Sequence, residues 1–263
     1  MRILPAPAVR SAAIATAILL LAPCPNGNAS QFDATLTDSV PQELWSASNH
    51  GRTPLGADGF WSFPPQVKKV VVDVGAYKLR RTEHYLKRHR DVGLVAVEPM
   101  AAPWADWPDD PRIIGVPVAI SLERGTLSFN INEKDVTSSL LETTDESLLS
   151  SDTVEVRQVP GVRLEDVLER IPTNLPIIFL KTDVQGMDLA ALMSAGEQLR
   201  RVKEVHTEII NDPSYKKGGK GSMSSEEEFH SYMASMGFSP YREIPAPERW
   251  VVDVFYRNDS WTE

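Results

Sequence analysis

Short runs of apolar and β-branched residues alternate with amphipathic stretches from residue 68 onward. The run Val70–Val74, VVVDV, has the length and composition of a buried parallel strand. In the next stretch, 77–90, Leu79, Thr82 and Leu86 recur at helical spacing, which predicts a helix. Further strands are predicted at 94–99, 112–121, 125–131, 154–159, 176–186 and 202–210, and further helices at 162–172, 187–200 and 227–238.

Three details refine this pattern. Pro117 in the third strand favours an edge or irregular position, because proline cannot donate a hydrogen bond to a sheet. The segments 136–152 and 211–228 are rich in small polar and charged residues and are predicted to be loops. A short loop joins the last two strand-like runs, 239–244 and 250–258, so we expect an antiparallel hairpin.

The alternation of strands and helices predicts an α/β fold. Its sheet should be mostly parallel, with helices on both faces and the antiparallel hairpin at the C-terminal end. Right-handed crossovers place the carboxyl ends of the parallel strands along one rim, where ligands bind. The residues at predicted strand ends that could carry chemistry are Asp73, Gly75, Glu98, Asp183 and Glu208.

The first two strands end in a pattern typical of a nucleotide-like cofactor site. Gly75 allows a sharp turn and a close approach to a ligand, and Glu98 at the end of the next strand can bind ribose hydroxyls. The loop that follows Gly75 lacks the other two glycines of a dinucleotide site, which argues against NAD and FAD. S-adenosylmethionine has no phosphate group, so a site for it needs fewer of the glycines that hold a pyrophosphate. The alternative interpretation of Asp73 is a turn or helix-capping residue.

A second candidate group ends the most apolar predicted strand after residue 30. Lys181 and Asp183 stand at i and i+2, so they face the same side of that strand. Burying two charges is costly unless they are paired or lie at the rim. This pattern indicates either a functional rim position or a buried strand followed by a helix with Asp188 in its first turn.

Composition narrows the classes of partner. The 263 residues include 27 basic and 36 acidic side chains, and the net charge of −9 does not favour nucleic acid or an anionic membrane. Cys24 is the single cysteine and the five histidines are scattered, so we expect no intrachain disulfide and no metal site. A small-molecule or glycan acceptor remains the expected partner, and the oligomeric state stays open.

Residues 1–30 have the pattern of a signal peptide or other targeting segment. A basic start without acids precedes the apolar run Ser11–Ala22, and small residues follow it. That run is shorter than the roughly 20 residues of a membrane span. We therefore expect the secretory pathway or secretion. The alternatives are an organelle lumen and an uncleaved anchor, which would provide the protein's contact with a membrane.

Residues 31–65 are rich in Pro, Gly, Ser, Asn and Asp and are predicted to be a linker or lead-in to a domain over 66–263. Aromatic residues in this segment are expected to cover the edge of that domain. They are Trp45, Phe60, Trp61 and Phe63.

The motifs of residues 68–258 resemble the FkbM-type family of S-adenosylmethionine-dependent methyltransferases. The matching pieces, in family order, are VVVDVGA, LVAVEPM, VPVAISLERGTLSFNI, VTSSLL, VRLEDVL, IIFLKTDVQGMDLAALMSAGEQL and VKEVHTEI. The most specific piece is KTDVQGMDLAAL, where the family usually has K-x-D-x-E-G-x-E and this chain has Gln185 and Asp188 for the two glutamates. After Gly75 and Ala76 the family usually has Asn and Gly, where this chain has Tyr77 and Leu79.

The resemblance implies a Rossmann-like methyltransferase sheet and O-methyltransferase activity with S-adenosylmethionine. It implies that Glu98 holds the ribose, that the Asp73 and Gly75 region borders the methionine part, and that Asp183 lies beside the methyl group. The implied catalytic residues are Lys181, Asp183 and Glu208, and the implied cofactor-binding residues are Asp73, Gly75, Ala76, Tyr77 and Glu98.

Methyl transfer to a hydroxyl needs a group that takes its proton, and the candidates are Asp183, His206 and Glu208. The alternating pattern around His206 favours a structural position in a strand. The loop Tyr215–Ser222 is interpreted as a solvated loop or, alternatively, as a cover for the substrate. The expected acceptor is a hydroxyl of a glycan, lipid or small molecule. The alternatives are a non-catalytic binding module of the same fold and, with less support, a nucleotide-sugar enzyme, for which no D-x-D pair is present.

Overall fold

The structure is a computed structural model. It describes residues 45, 55–145, 151–211, 213–218, 220–246 and 250–262. The predicted targeting segment 1–30 and most of the lead-in 31–65 lie outside the described residues. Within the described ranges, no helix is both long enough and apolar enough to cross a membrane.

The described residues form ten strands in two sheets. The strands are β1 (Lys69–Val74), β2 (Val92–Val97), β3 (Ile113–Val116), β4 (Ala119–Ile120), β5 (Gly125–Asn132), β6 (Thr153–Val162), β7 (Ile177–Thr182), β8 (Glu204–Ile210), β9 (Phe238–Pro245) and β10 (Val251–Asn258). The larger sheet has the order β3-β2-β1-β7-β8-β10-β9 and the smaller one β4-β6-β5. In the larger sheet β10 runs antiparallel to β8 and β9, while the other pairs are parallel. This confirms the predicted mostly parallel sheet with a C-terminal antiparallel hairpin.

The helices are shorter than the sequence pattern predicts. They are α1 (Glu83–Arg88), α2 (Leu164–Leu168), α3 (Asp188–Ser194) and α4 (Glu226–Ser235), with 3₁₀ turns at Ala102–Asp106, Asp135–Thr137 and Gly196–Arg201. The predicted helix over 77–90 is wrong in its first half. Tyr77 and Leu79 have left-handed φ angles of 41° and 58°, which a continuous right-handed helix does not accommodate. The chain therefore turns until Thr82 before α1 begins.

Helices pack on both faces of the larger sheet, as predicted. On one face Val72 lies in the same buried cluster as Leu168 of α2 and Leu192 of α3. On the opposite face Val71 lies in a cluster with Leu86 of α1. Successive residues of a strand point to opposite faces, so the β-branched run of β1 supplies both cores.

The predicted third strand, 112–121, is two strands in the structure. β3 ends at Val116 on an edge of the larger sheet, and β4 begins at Ala119 in the smaller sheet. Pro117 lies between them and has no N–H with which to continue the ladder. The chain thus passes from one sheet to the other at this point, which brings the smaller sheet next to the carboxyl ends of β1 and β2.

The aromatic residues of the lead-in cover the domain as expected. Trp45 and Trp61 are both 2% exposed and belong to the main core, with ring centroids 6.2 Å apart. The guanidinium of Arg170 lies 3.7 Å from the centroid of the Trp45 ring. Phe60 and Phe63 are half-buried.

Candidate active site

A cleft of about 270 Å³ lies at the carboxyl ends of β1, β2 and β7. Its polar lining comes from these strand ends and from one facing 3₁₀ turn, and its apolar walls come largely from the smaller sheet and nearby loops. The polar lining residues include Gly75, Tyr77, Glu98, Asp135, Asp183 and Gln185. The apolar ones include Met100, Val118, Phe129, Ile131, Leu140 and Met187. Three of the five predicted rim residues, Gly75, Glu98 and Asp183, line this cleft, whereas Asp73 and Glu208 are not among its described lining residues.

Glu98 follows β2 directly, and its carboxylate is held by the backbone. Oε2 accepts a hydrogen bond from the N–H of Tyr77 at 3.0 Å, and Oε1 accepts one from the N–H of Met100 at 2.9 Å. Burial raises the pKa of Glu98 to about 7, against the effect of both N–H groups. Each carboxylate oxygen can accept a second hydrogen bond. Glu98 can therefore still receive hydroxyl donors from a ligand in the cleft.

Asp73 and Lys181 form a buried ion pair behind the cleft. Lys181 Nζ lies 3.0 Å from Asp73 Oδ1 and donates to the carbonyl of Gly75 at 3.0 Å. Thr82 Oγ1 donates to Asp73 Oδ2, which ties the start of α1 to β1. Asp73 and Lys181 are 1% and 2% exposed, and neither is among the described residues that line the cleft. Direct cofactor contact by the Asp73 carboxylate stays a prediction.

Gly75 and Ala76 shape the turn after β1. Gly75 has φ +71°, and a Cβ there would collide with the carbonyl oxygen of Asp183. The N–H groups of Gly75 and Ala76 both donate to the carbonyl of Val97 at 3.0 Å. Ala76 is buried in the core beneath α1 and does not line the cleft. Its contribution in this structure is to hold the loop, while Gly75 allows β1 and β7 to meet at the cleft.

Tyr77 closes one wall of the cleft. Its hydroxyl donates to Asp135 Oδ2 at 2.7 Å, which joins the β1–α1 loop to the Asp135–Thr137 turn. Its carbonyl accepts from Trp107 Nε1 at 2.5 Å. Sequence reasoning placed Tyr77 at the cofactor but did not identify Asp135 as its partner.

Asp183 and Glu208 lie on either side of one amide. Gln185 Nε2 donates to Asp183 Oδ1 at 2.9 Å and to Glu208 Oε2 at 3.1 Å. Lys181 Nζ lies 3.4 Å from Asp183 Oδ2. Burial, and next the charge of Asp183, raise the pKa of Glu208 well above its usual range. Asp183 lines the cleft, whereas Glu208 lies behind Gln185. Of the predicted catalytic residues, Lys181 thus lies next to Asp183, and Glu208 is linked to Asp183 through the Gln185 amide.

The segment Tyr215–Ser222 is anchored by buried residues at its two ends, while the lysines between them are exposed. Tyr215 is 3% exposed, and its hydroxyl lies 2.6 Å from the carbonyl of Thr137. Lys216 N donates to the carbonyl of Glu142 at 2.8 Å, and Ser222 is fully buried. Backbone pairing with residues 142–144 holds the start of the segment, and Lys216, Lys217 and Lys220 stay exposed.

His206 lies in β8 outside the cleft, which matches its structural interpretation. Its Nε2 is 2.8 Å from Asp253 Oδ1, and its ring stacks on Phe255 with 4.2 Å between centroids and 1° between planes. The side chain is largely buried in these contacts. Two neighbours therefore fix its position.

The apolar wall from the smaller sheet was missed at the level of sequence. Phe129 and Ile131 alternate with polar residues on β5, which predicted a half-exposed strand and nothing about a ligand. Their spatial relation to Glu98 depends on where the chain changes sheets after β3. No local pattern encodes that position, although the alternation did identify which side chains share a face.

Comparison with known proteins gives a family and several distant structural neighbours. The family model of the methyltransferase FkbM domain matches residues 73–240. No curated protein sequence matches the chain.

Solved structures similar to this chain include several methyltransferases. A chain of the fibrillarin/Nop5p complex is 13% identical over 73% of both chains, with a TM-score of 0.41. A 16S rRNA (adenine(1408)-N(1))-methyltransferase from Catenulisporales acidiphilia is 10% identical over 75% of this chain and 88% of that one, with a TM-score of 0.38. The antibiotic-resistance methyltransferase Kmr is 11% identical over 74% and 89%, with a TM-score of 0.37. They carry no conclusion about the substrate of this chain.

Proposed function

The chain belongs to the methyltransferase FkbM domain family, and on that basis we propose that it is an S-adenosylmethionine-dependent O-methyltransferase. The observation that carries the proposal is the placement of Glu98, Gly75 and Asp183 along one cleft. These residues end β2, β1 and β7, which are neighbours in the sheet. Across the cleft, the Glu98 carboxylate, which can accept hydrogen bonds from hydroxyl groups, is therefore followed by the turn at Gly75, where the backbone can approach a ligand closely. The Asp183 carboxylate comes next.

The residues of the cleft fit this cofactor. Glu98 would accept the ribose hydroxyls, because its oxygens keep free acceptor capacity beside the two backbone bonds. Val118 and Met100 would pack on the adenine, since both line the apolar part of the cleft. Gly75 would leave room for the methionine part, as a side chain is sterically excluded there. Asp183 would border the sulfur end, where a negative group suits a positive charge.

S-adenosylmethionine, when bound, supplies a methyl group activated by its positively charged sulfur. The chain must orient the acceptor hydroxyl and take its proton. Orientation alone can contribute about 7–11 kcal/mol, and a positioned base about 10²–10⁴-fold in rate. We assign the base to Asp183, which lines the cleft and faces Lys181 at 3.4 Å. Burial raises the pKa of Glu208, which favours its protonated form, and a protonated Glu208 would act as a hydrogen-bond donor.

The acceptor class and the compartment are proposed from the sequence. The acceptor would be a hydroxyl of a glycan, lipid or small molecule. A nucleic-acid acceptor is not proposed, because a net charge of −9 does not favour binding to nucleic acid. The secretory route is supported by the basic, apolar and small-residue order of residues 1–30.

Isothermal titration of the full chain with S-adenosylmethionine and S-adenosylhomocysteine tests the proposal. Both should bind, and affinity should fall as the pH drops below about 7, because Glu98 takes up a proton there and loses acceptor strength. Glu98→Gln should weaken binding about 10–100-fold, the usual cost of a lost hydrogen bond to a charged group. Glu123→Gln, at an exposed position, is the matched control. Absence of heat at millimolar ligand in a folded chain overturns the proposal.

A second candidate is a non-catalytic binding module that keeps the fold. The bond between Tyr77 and Asp135 favours it, because this bond narrows the cleft from one side. Tyr77→Phe removes the bond and keeps the ring. If Tyr77 only gates the cleft, this variant should bind S-adenosylhomocysteine at least as tightly as the wild type. If the chain is a binding module, neither protein binds it.

A further inference from the structure

Gln185 occupies the centre of the acceptor side of the site. Its amide nitrogen lies 2.9 Å from Asp183 Oδ1 and 3.1 Å from Glu208 Oε2. A side-chain amide carries two N–H donors, and here each has a carboxylate oxygen within reach. The amide therefore separates two acidic groups without adding a charge of its own.

Contacts with Tyr215 and Ser139 hold the Gln185 amide and its backbone in place. Gln185 Oε1 lies 3.0 Å from the hydroxyl of Tyr215, and the backbone carbonyl of Gln185 accepts from Ser139 Oγ at 2.8 Å. The residue has φ +53°, a left-handed conformation that is unfavourable for a residue other than glycine. The two neighbouring segments thus hold Gln185 in a strained position with its donors toward the carboxylates.

The charges around Glu208 explain why a neutral donor matters here. Asp183, Asp188 and Asp253 all act on Glu208 as negative neighbours, and Lys181 is the opposing cation. A carboxylate in place of the amide would add another negative group to this set. Like charges at such distances raise the proton affinity of their neighbours.

We propose that Gln185 is the positioning residue of the acceptor site, which holds Asp183 and Glu208 at a fixed separation by donating one N–H to each carboxyl group. Asp183 is then held at the cleft, where it can take the proton of the acceptor. This inference rests on the proposed O-methyltransferase function. It concerns a residue that stands where the resembling family usually has a glutamate.

Carbon-13 NMR titration of carboxyl groups in the ligand-free full chain tests the inference. Gln185→Glu keeps the side-chain shape and should raise the titration midpoint of Glu208 by about one pH unit or more, because the donor is replaced by a third carboxyl. Gln185→Met removes the donor without adding a charge and should also raise the midpoint. Gln198→Glu is the control, since the Gln198 amide oxygen accepts from Arg201 and a carboxylate can do the same.

The outcomes separate positioning from a purely structural role. If Gln185 only fills space beneath Tyr215, both variants melt at a lower temperature and the Glu208 midpoint stays at its wild-type value, which overturns the inference. If a variant does not fold, exchange of the Gln185 side-chain amide hydrogens in the wild type decides, and they should exchange more slowly than those of Gln198. The titration needs no cofactor. Failure of the proposed function, seen as absence of S-adenosylhomocysteine binding, is thus a separate result.

Discussion

At the scale of single residues, buried ionisable side chains lie in a row across one face of the sheet. The strand register aligns Asp73 with Lys181, Lys181 with His206, and His206 with Phe255. Residues aligned in this way point to the same face and touch their neighbours. Asp73 is paired with Lys181, and His206 is paired with Asp253. Each buried ionisable group in the row therefore has a partner of the opposite kind, which is the condition for tolerating its burial.

Asp188 should make the stability of the protein depend on pH. Burial, with Asp183 adding to it, raises the pKa of Asp188 to about 7. Between roughly pH 4 and pH 7 the native state holds a proton that the unfolded chain has lost, so stability falls as the pH rises through this window. Asp188→Asn removes that loss. From pH 5 to pH 8, the free energy of unfolding of the variant should therefore increase by roughly 3 kcal/mol relative to that of the wild type.

Urea unfolding at the two pH values measures this gain. Asparagine keeps an oxygen for the N–H of Val184, which lies 3.2 Å from Asp188 Oδ1. Glu123→Gln, at an exposed position, should leave the pH dependence as in the wild type. The same pH dependence in Asp188→Asn and wild type would contradict the expectation.

At the scale of elements, the sequence predicted strands better than helices. β1 and β7 are short apolar runs whose pattern predicts their type, although β7 ends at Thr182, before the predicted end at 186. α1 begins late because Tyr77 and Leu79 adopt left-handed angles, and helical spacing alone does not report backbone angles. Gly237, with φ +85°, follows the C-cap of α4, and glycine is the residue that favours this left-handed position.

The candidate site was predictable only where it follows strand ends. Glu98, Gly75 and Asp183 were identified because parallel strands bring their carboxyl ends to one rim. Asp135 and the wall around Phe129 were not, because they reach the cleft through a loop and a second sheet. Such contacts depend on the full chain path, which no local spacing encodes.

Replacing Gly75 should be costly because of a steric clash, and a comparison with Gly59 can separate this clash from backbone strain. Gly75 and Gly59 both have positive φ, at +71° and +81°, so alanine is strained at either. A Cβ at Gly59 meets no atom within 4 Å, whereas one at Gly75 meets the backbone of Asp183. Gly59→Ala should cost about 1–2 kcal/mol of stability. Gly75→Ala should cost clearly more and abolish S-adenosylhomocysteine binding.

Thermal unfolding and isothermal titration of the two variants measure this difference. Since both substitutions force the same backbone angle, the excess cost at Gly75 reports the clash between β1 and β7. Equal costs, together with retained binding in Gly75→Ala, would show that the turn can move away from Asp183.

At the scale of the whole molecule, the sheet separates two cavities. The candidate site lies at the carboxyl ends of β1, β2 and β7. A second cavity of about 470 Å³ lies before β1 and β7 and is lined by residues that include Phe60, Lys68 and Asn174. In folds of this kind ligands bind beyond the carboxyl ends of the strands. The second cavity can therefore serve as an internal control for ligand binding at the candidate site.

Hydrogen exchange with and without S-adenosylhomocysteine should distinguish the two ends of the sheet. Binding at the candidate site would slow exchange at short times in 75–79, 98–103, 118–120, 135–140 and 183–187, because the ligand restricts local opening of the segments it contacts. Segments 61–68 and 172–175, around the second cavity, should exchange as in the free protein. Glu98→Gln should lower the protection at every one of the five segments at a fixed ligand concentration, since one carboxylate anchors the whole ligand. Protection confined to the amino ends of the strands would instead assign the ligand to the second cavity and would contradict the placement of the site by strand direction.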